Sequence, residues 1–274
     1  MNSIEHSEGQ DTWRLVATGT TTPIEDNTPK IINVCNCLEL GYWCAEYITG
    51  EMKKNPFTPE AQKIRRHLEK STFTSTYNRL SWWKKALYAA FPKTGYLSTS
   101  GKHYSYACYL WYEQVSYKKP WDHKVYLGQE LKRITIEKNI KIYKDSWAWN
   151  KINGHDYYFD IWSNIHYGYV GYLVGFSEDA LRRGAALAQA RNDIFSKKHY
   201  IQYHKENEDI IASMDDVNDQ ISINIGIELA KTKPPEELQL FDLLFKIESI
   251  PVPWGGTNEN DSKSKRVHEC QPKN

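Results

Sequence analysis

The chain has 274 residues, which is enough for one large domain or two modest ones with a genuine hydrophobic core. Lys and Arg (35) nearly balance Asp and Glu (34), so the composition lacks the basic excess typical of proteins that bind phosphate backbones. Aromatic residues make up 14% of the chain, and this high content indicates a thick aromatic core or a stacking surface.

The N-terminus does not look like a secretory leader, because its first ten residues are polar and include acids. The most apolar early stretch, residues 31–48, is interrupted by Asn and Glu, so we expect no transmembrane segment. Five cysteines form no C-x-x-C pair and are interpreted as reduced thiols. If the protein leaves the cell in which it is made, we expect export without a cleaved signal peptide.

The N-terminal third predicts a flexible arm followed by a small helical module. Residues 1–33 are polar and have no apolar period, which is typical of a flexible arm, and residues 34–102 form the predicted module. In the module, Thr58 as N-cap and Pro59 at the first helical position predict a helix that runs to about Lys70. A second, amphipathic helix is predicted from apolar residues spaced by three and four, namely Leu80, Trp83, Leu87 and Phe91.

Residues 103–250 are predicted to form an aromatic-rich core, and residues 251–274 a disordered tail. Within the core, residues 131–137 fit a helix or a strand on their period alone. Ser177, followed by two acids, predicts the start of a helix. Residues 221–227 alternate between apolar and polar, which favours a strand.

Three blocks of the predicted core occur in a fixed order and carry a family resemblance. They read WYEQV with PWDHK over residues 111–124, DIWSNIHYGYVG over residues 160–171, and DDVNDQ over residues 215–220, followed by Ile223, Gly226 and Ile227. Together they resemble the polymorphic toxin type 44 family, also called bacterial toxin 44. The similarity spans about 120 residues, and the chain departs from the family pattern at Ser163, Val217 and His123, where Gly, Pro and Tyr are common.

The resemblance implies a secreted antibacterial effector with a mainly helical α+β fold, and it favours a helix over residues 221–227. It also implies delivery by a type VI or similar secretion apparatus, and neutralisation in the producing cell by a cognate immunity protein. A shorter stretch, residues 156–160 with His166, is similar to the acid and histidine spacing of the colicin M family. That family cleaves a lipid-linked peptidoglycan precursor, and its Arg after the His is Tyr167 here.

Hydrolysis of a glycosidic or phosphodiester bond needs a proton donor and a base or nucleophile. The candidate catalytic residues are Asp160, His166, Asp122 and Asp156. Asp122 lies between Trp121 and His123, where burial would raise its pKa toward general-acid use, whereas the alternative is a turn or helix cap. We expect Asp160, His166 and Asp122 to share one aromatic-walled cleft. Asp160 and His166 flank an Asn in a predicted loop whose glycines would let the backbone approach a ligand.

The candidate substrate-binding residues are Asn164, Tyr167, Trp121, Lys124, Trp162 and Tyr158. For Asn164 the alternative is hydrogen bonding to loop backbone, for Lys124 a solvated or paired ammonium, and for the aromatic residues ordinary core packing. A divalent cation is the one cofactor that the sequence suggests, at Asp215, Asp216 and Asp219, with helix capping as the alternative.

These observations favour a hydrolase of the bacterial envelope, which would act on peptidoglycan or its lipid-linked precursor in the periplasm of a target cell. The first alternative is a ribonuclease toxin in the target cytoplasm, with His166 as acid or base. The near balance of charge counts against it, because phosphate contacts supply most nucleic-acid affinity. The second alternative is a non-enzymatic toxin that binds its target.

Overall fold

A computed structural model describes residues 3–6, 13–16, 37–71, 99–138, 146–195, 204, 211–252, 254 and 264–269. The chain divides into two compact units, one formed by Met1–Leu38 with Glu269–Asn274 and the other by Glu39–His268. In the first unit, strands β1 (Ser3–His6) and β2 (Trp13–Val16) pair antiparallel. These eight residues are the described part of the predicted arm.

The second unit is mainly helical. Its described α-helices are α1 (Leu40–Lys54), α2 (Pro59–Glu69), α3 (Thr99–Val115), α4 (His123–Glu137), α5 (Ile161–Leu173), α6 (Glu178–Phe195), α7 (Val217–Thr232) and α8 (Leu240–Ser249). Short 3-10 helices cover Asn55–Phe57, Ser146–Ala148 and Ala212–Met214. One antiparallel sheet has the order β3 (Trp149–Ile152), β4 (His155–Tyr158) and β5 (Lys265–Val267). The predicted fold class, α+β and mainly helical, is confirmed.

Two helix starts follow the capping signals in the sequence. Thr58 accepts a hydrogen bond from the Ala61 amide at 3.3 Å, and α2 begins at Pro59 and ends at Glu69. The Ser177 hydroxyl accepts from the Ala180 amide at 3.2 Å, directly before α6. Residues 131–137, whose period fitted either a helix or a strand, belong to α4. The helix predicted around residues 80–91 lies outside the described residues.

Residues 221–227 form the middle of α7, so the strand indicated by their alternation is wrong and the helix implied by the family resemblance is correct. Helix α7 is buried on nearly all sides, and even its polar Ser222 is fully buried. The Ser222 hydroxyl is satisfied within the helix, because it donates to the Asn218 carbonyl at 2.7 Å. A helix with so little exposed surface has no continuous solvent-facing stripe, so its sequence does not show the usual 3.6-residue period.

Helices α5 and α7 cross with their backbones in contact. A Cβ atom built at Gly168 of α5 would overlap the Ile223 carbonyl, and one at Gly226 of α7 would overlap the Ile165 carbonyl. Residues 160–171, interpreted from the sequence as a loop, are therefore the N-cap and body of α5. Their glycines bring the backbone close to a neighbouring helix, not to a ligand.

The sheet, including its C-terminal strand β5, supports this helical unit. Strand β5 lies within the predicted tail and pairs with β4, with Asp156 opposite Arg266. The buried Lys265 ammonium donates to the carbonyls of Ile247, Glu248 and Ile250 at 3.3, 2.9 and 2.6 Å, around the C-terminal end of α8. A positive charge at the C-terminal end of a helix also interacts favourably with the negative end of the helix dipole.

Helices α1 and α2 lie in the same compact unit as the predicted core. The boundaries proposed at residues 33, 102 and 250 remain predictions. Of the helices in the described ranges, none is both long and apolar enough to cross a bilayer.

Candidate functional site

A cavity of about 360 Å³ is lined by residues of α3, α5, α6 and α7 and of the α3–α4 connection. One wall is a face of α3, whose lining residues recur at three and four and are Tyr104, Cys108, Trp111, Tyr112 and Val115. Helix α6 supplies small side chains, namely Ala180, Gly184, Ala185 and Ala188. Large rings therefore line one side of the cavity, and small side chains line another.

The aromatic wall is continuous. The ring centroid of Trp111 lies 5.5 Å from that of Phe176, 5.7 Å from Trp121 and 5.3 Å from Tyr167, and all four rings line the cavity. The Tyr167 hydroxyl donates to the Leu181 carbonyl at 3.1 Å, which holds this ring in place. Trp121 and Tyr167, two of the predicted substrate-binding residues, are therefore cavity residues.

Polar and ionisable side chains line another part of the same cavity, and they are Asp122, Lys124, Asn164, Asp215 and Asp219. The crossing of α5 and α7 explains why several of them meet. Asn164 lies one turn before Gly168, and Asp219 lies one turn before Ile223, which Gly168 contacts. The Asn164 amide accordingly donates to the Asp219 carboxyl at 2.8 Å.

Lys124 from α4 brings a cation to these carboxyls. Its ammonium lies 3.9 Å from Asp160 Oδ2, at the N-cap of α5. Burial lowers the pKa of Lys124, but the carboxyls of Asp219, Asp160 and Asp215 outweigh burial and raise this pKa overall. Lys124 is thus a paired ammonium at the site.

The carboxyls hold their protons more tightly than ordinary aspartates. Burial raises the pKa of Asp219 well above its usual value, and the neighbouring acids add to the rise while Lys124 opposes it. Burial likewise raises the pKa of Asp215 to about 7, against the lowering effects of the hydrogen bond from Gln220 and the charge of Lys124. The pKa of Asp160 is raised by burial as well. Several carboxyls thus share one ammonium at a partly buried site, so the group retains a proton near neutral pH.

Asp122 stabilises a turn, which was the alternative to a catalytic role in the sequence analysis. Its carboxyl accepts from the Lys118 amide at 2.8 Å, where Lys118 has a φ of 60°. This bond holds the tight turn between α3 and α4. Asp122 still faces the cavity beside Lys124.

His166 lies in the core instead of the expected shared cleft. It is fully buried, its Nε2 lies 2.8 Å from the Asn55 amide nitrogen, and its ring centroid is 4.2 Å from that of His123. Burial is the larger cause of a pKa of His166 well below its usual value, and the neighbouring His123 lowers this pKa further. The ring of His166 is therefore neutral. The structure therefore brings Asp122 and Asp160 to Lys124, while His166 packs with His123, one of the departures from the family pattern.

Three further predicted site residues lie in the sheet and the core. The carboxyl of Asp156 is engaged by Arg266 at 3.2 Å and His268 at 2.7 Å. Tyr158 packs edge-on against Trp149 in the sheet. Trp162 is fully buried, so the core-packing alternative describes it.

The three acids proposed as a cation site have separate partners. Asp215 accepts from Gln220 at 2.6 Å and Asp219 from Asn164, while Asp216 lies 3.5 Å from the ring of His204. Within the described part of the chain, no group of three or more His, Cys, Asp or Glu side chains is arranged to hold a metal ion. Divalent-cation binding remains a prediction.

Sequence reasoning missed Gln220, and it did not assign Asp215 and Asp219 to the same cavity as Lys124. Their closeness in the chain was the available signal, because Asp215 directly precedes the N-cap of α7 and Asp219 lies in the first turn of this helix. That signal was obscured by the strand-like alternation that follows in residues 221–227.

The fold and the site together define a helical domain with an aromatic-walled, carboxyl-lined cavity between crossing helices. The model of the family described as Bacterial toxin 44 matches residues 110–232, from the middle of α3 to the end of α7. This segment belongs to that family, so the chain carries a bacterial toxin domain. No curated protein and no solved structure matches the chain. The matched segment contains every cavity-lining residue except Tyr104 and Cys108.

Proposed function

We propose that this bacterial toxin is an envelope hydrolase that cleaves a glycosidic bond of peptidoglycan. One observation carries the proposal: the buried carboxyl of Asp215 and the half-buried carboxyl of Asp219 line the same aromatic-walled cavity as the Lys124 ammonium. Enzymes that hydrolyse glycosidic bonds commonly use a pair of carboxyls as their catalytic groups, and an apolar setting raises the pKa of the acid.

The two carboxyls suit different roles. A general acid must hold its proton at the working pH, and burial together with neighbouring acids keeps Asp219 protonated. The partner base must be ionised for much of the time near neutral pH, and the pKa of Asp215 at about 7 meets this requirement. In this mechanism Asp219 protonates the leaving-group oxygen, and Asp215 takes a proton from the attacking water. Lys124 stabilises the negative charge that passes between them.

The aromatic wall supports a sugar ligand. The apolar faces of sugar rings pack against aromatic rings, and Trp111, Trp121 and Tyr167 present a continuous aromatic surface near the carboxyls. The small residues of α6 leave space beside that surface.

The cavity's charges favour a glycan over RNA. Its ionisable lining is three aspartates, Asp122, Asp215 and Asp219, against the two cations Lys124 and Arg183. Because Asp219 is protonated and Asp215 partly so, these charges are close to balance, and the cavity lacks the excess of Lys and Arg whose phosphate contacts dominate nucleic-acid affinity. The neutral, core-packed His166 also gives less support to a ribonuclease mechanism based on this histidine, or to the colicin M-like cleavage of a lipid-linked precursor.

The proposal includes the partners expected from the sequence. The toxin would be exported without a cleaved leader by a secretion apparatus, act in the periplasm of a target cell, and be neutralised in its producer by an immunity protein.

The test is digestion of purified peptidoglycan sacculi by the full chain, with new reducing ends and released fragments measured by mass spectrometry. Asp219→Asn should lower the rate by about a hundredfold or more, because the amide cannot donate the required proton. The matched control is Glu228→Gln on the same helix, whose exposed carboxyl pairs with Lys246 at 3.1 Å. This control should digest sacculi at the wild-type rate.

Two results would count against the proposal. Intact sacculi alongside degraded total RNA would identify a ribonuclease, and killing by folded Asp219→Asn protein would identify a binding toxin. Expression of the wild-type chain in each compartment gives an independent check, since an envelope hydrolase kills when directed to the periplasm and not when confined to the cytoplasm.

A further inference from the structure

Gln220 connects the candidate base Asp215 to helix α6. Its side chain is 1% exposed, and its amide nitrogen donates to Asp215 Oδ2 at 2.6 Å. The same nitrogen donates to the Arg182 carbonyl at 3.1 Å, and the amide oxygen accepts from Arg182 Nε at 3.1 Å. Both ends of this buried amide are therefore engaged.

Arg182 determines which way the amide points. A guanidinium is only a donor, so the Gln220 oxygen must face it. The nitrogen is then left to face the Arg182 carbonyl, which can only accept, and Asp215 Oδ2. A reversed amide would place its NH2 group against the Arg182 guanidinium and its oxygen against the Arg182 carbonyl, with no hydrogen bond to either.

We propose that Gln220 is a positioning residue, which holds the Asp215 carboxyl in one orientation toward the cavity and is itself oriented by Arg182. The catalytic consequence rests on the proposed function, whereas the orientation of Asp215 does not. A carboxyl that takes a proton from water must keep its oxygen within hydrogen-bonding reach of that water, and misplacement by about 1 Å costs about a hundredfold in rate.

The first measurement needs no substrate. In full-length protein with 13C-labelled aspartate, three-bond couplings to the Asp215 carboxyl carbon report whether its side chain occupies one rotamer or several. The wild type should show one rotamer. Gln220→Met keeps the volume and the helix propensity but removes both hydrogen-bonding groups, and it should show averaged couplings. Arg182→Met should show partial averaging, since the amide loses its orientation but remains present.

The second measurement is the hydrolysis of sacculi by the same proteins. Gln220→Met should lower kcat by about tenfold to a hundredfold and leave KM nearly unchanged, because the aromatic wall that would bind the glycan is intact. The matched control is Gln129→Met, an exposed residue on α4, which should alter neither the couplings nor kcat. Circular dichroism confirms that each variant is folded.

A single Asp215 rotamer in folded Gln220→Met protein would overturn the positioning role. Averaged couplings uphold that role, and if kcat is unchanged in the same variant, the assignment of Asp215 as base fails instead. Failure of the wild type to digest sacculi would overturn the proposed function, and the couplings would still decide the role of Gln220.

Discussion

Replacement of Asp215 by Asn should make the protein more stable at neutral pH and should have progressively less effect as the pH falls. Asp215 is 3% exposed, and burial raises its pKa from the ordinary 3.8 to about 7 in the folded chain. Below about pH 4 the carboxyl is protonated in both the folded and the unfolded chain. As the pH rises toward 7, the unfolded chain releases this proton while the folded chain retains it, so the free energy of unfolding falls.

The size of this stability change follows from the difference between the pKa of Asp215 in the folded chain and in the unfolded chain. Each pH unit between about 4 and 7 removes about 1.4 kcal/mol from the wild-type free energy of unfolding, or about 4 kcal/mol over the whole interval. Asn has no proton to release, so the Asp215→Asn variant does not lose this free energy of unfolding as the pH rises. Its side-chain oxygen can still accept the hydrogen bond from Gln220. The stability of Asp215→Asn relative to wild type should therefore rise by about 4 kcal/mol between pH 4 and pH 7.

Urea denaturation followed by tryptophan fluorescence at pH 4, 5, 6 and 7 measures this difference. Subtracting wild type from variant at each pH removes the titration of the groups that do not interact with Asp215. Glu228→Gln is the control, because its carboxyl is exposed and its stability difference should stay nearly constant. A constant difference for Asp215→Asn across the same interval would refute the reasoning, since Asp215 would then titrate alike in the folded and unfolded chains.

Gly226→Ala should destabilise the protein by about 3 kcal/mol or more in urea denaturation, because its methyl group overlaps the backbone of α5. The control Gly50→Ala, an exposed α1 position with open space around it, should raise stability by up to about 1 kcal/mol, and equal effects at both glycines would contradict the close crossing. Lys265→Met should lower stability by about 2 kcal/mol, because three carbonyls at the end of α8 lose their donor; an unchanged urea midpoint would disprove this capping role. Asp156→Asn should digest sacculi within about twofold of the wild-type rate, since this carboxyl is engaged in the sheet; a loss as large as that of Asp219→Asn would return Asp156 to the catalytic group.

Features that depend on a few neighbouring residues were predictable from the sequence. The Thr58–Pro59 and Ser177 signals located two helix starts, because a cap bonds to an amide only three residues further along the chain. The order of the three blocks led to the toxin family and to the helix over residues 221–227. The apolar alternation of these residues predicted a strand wrongly, because α7 is buried on nearly all sides and its apolar residues are not confined to one stripe.

The resemblance to the toxin family, the mainly helical class, and the carboxyls, rings and glycines available for a site were all predictable from the sequence. Which of these side chains meet depends on the packing of the helices. The crossing of α5 and α7 at Gly168 and Gly226 places Asn164 against Asp219, and the packing of α1 against α5 encloses His166 with Asn55. These contacts join side chains from helices that are distant in the sequence, so they depend on how the helices pack. The distance between α5 and α7 is set by contact between their backbones, and no pattern of neighbouring residues in the sequence predicts that contact.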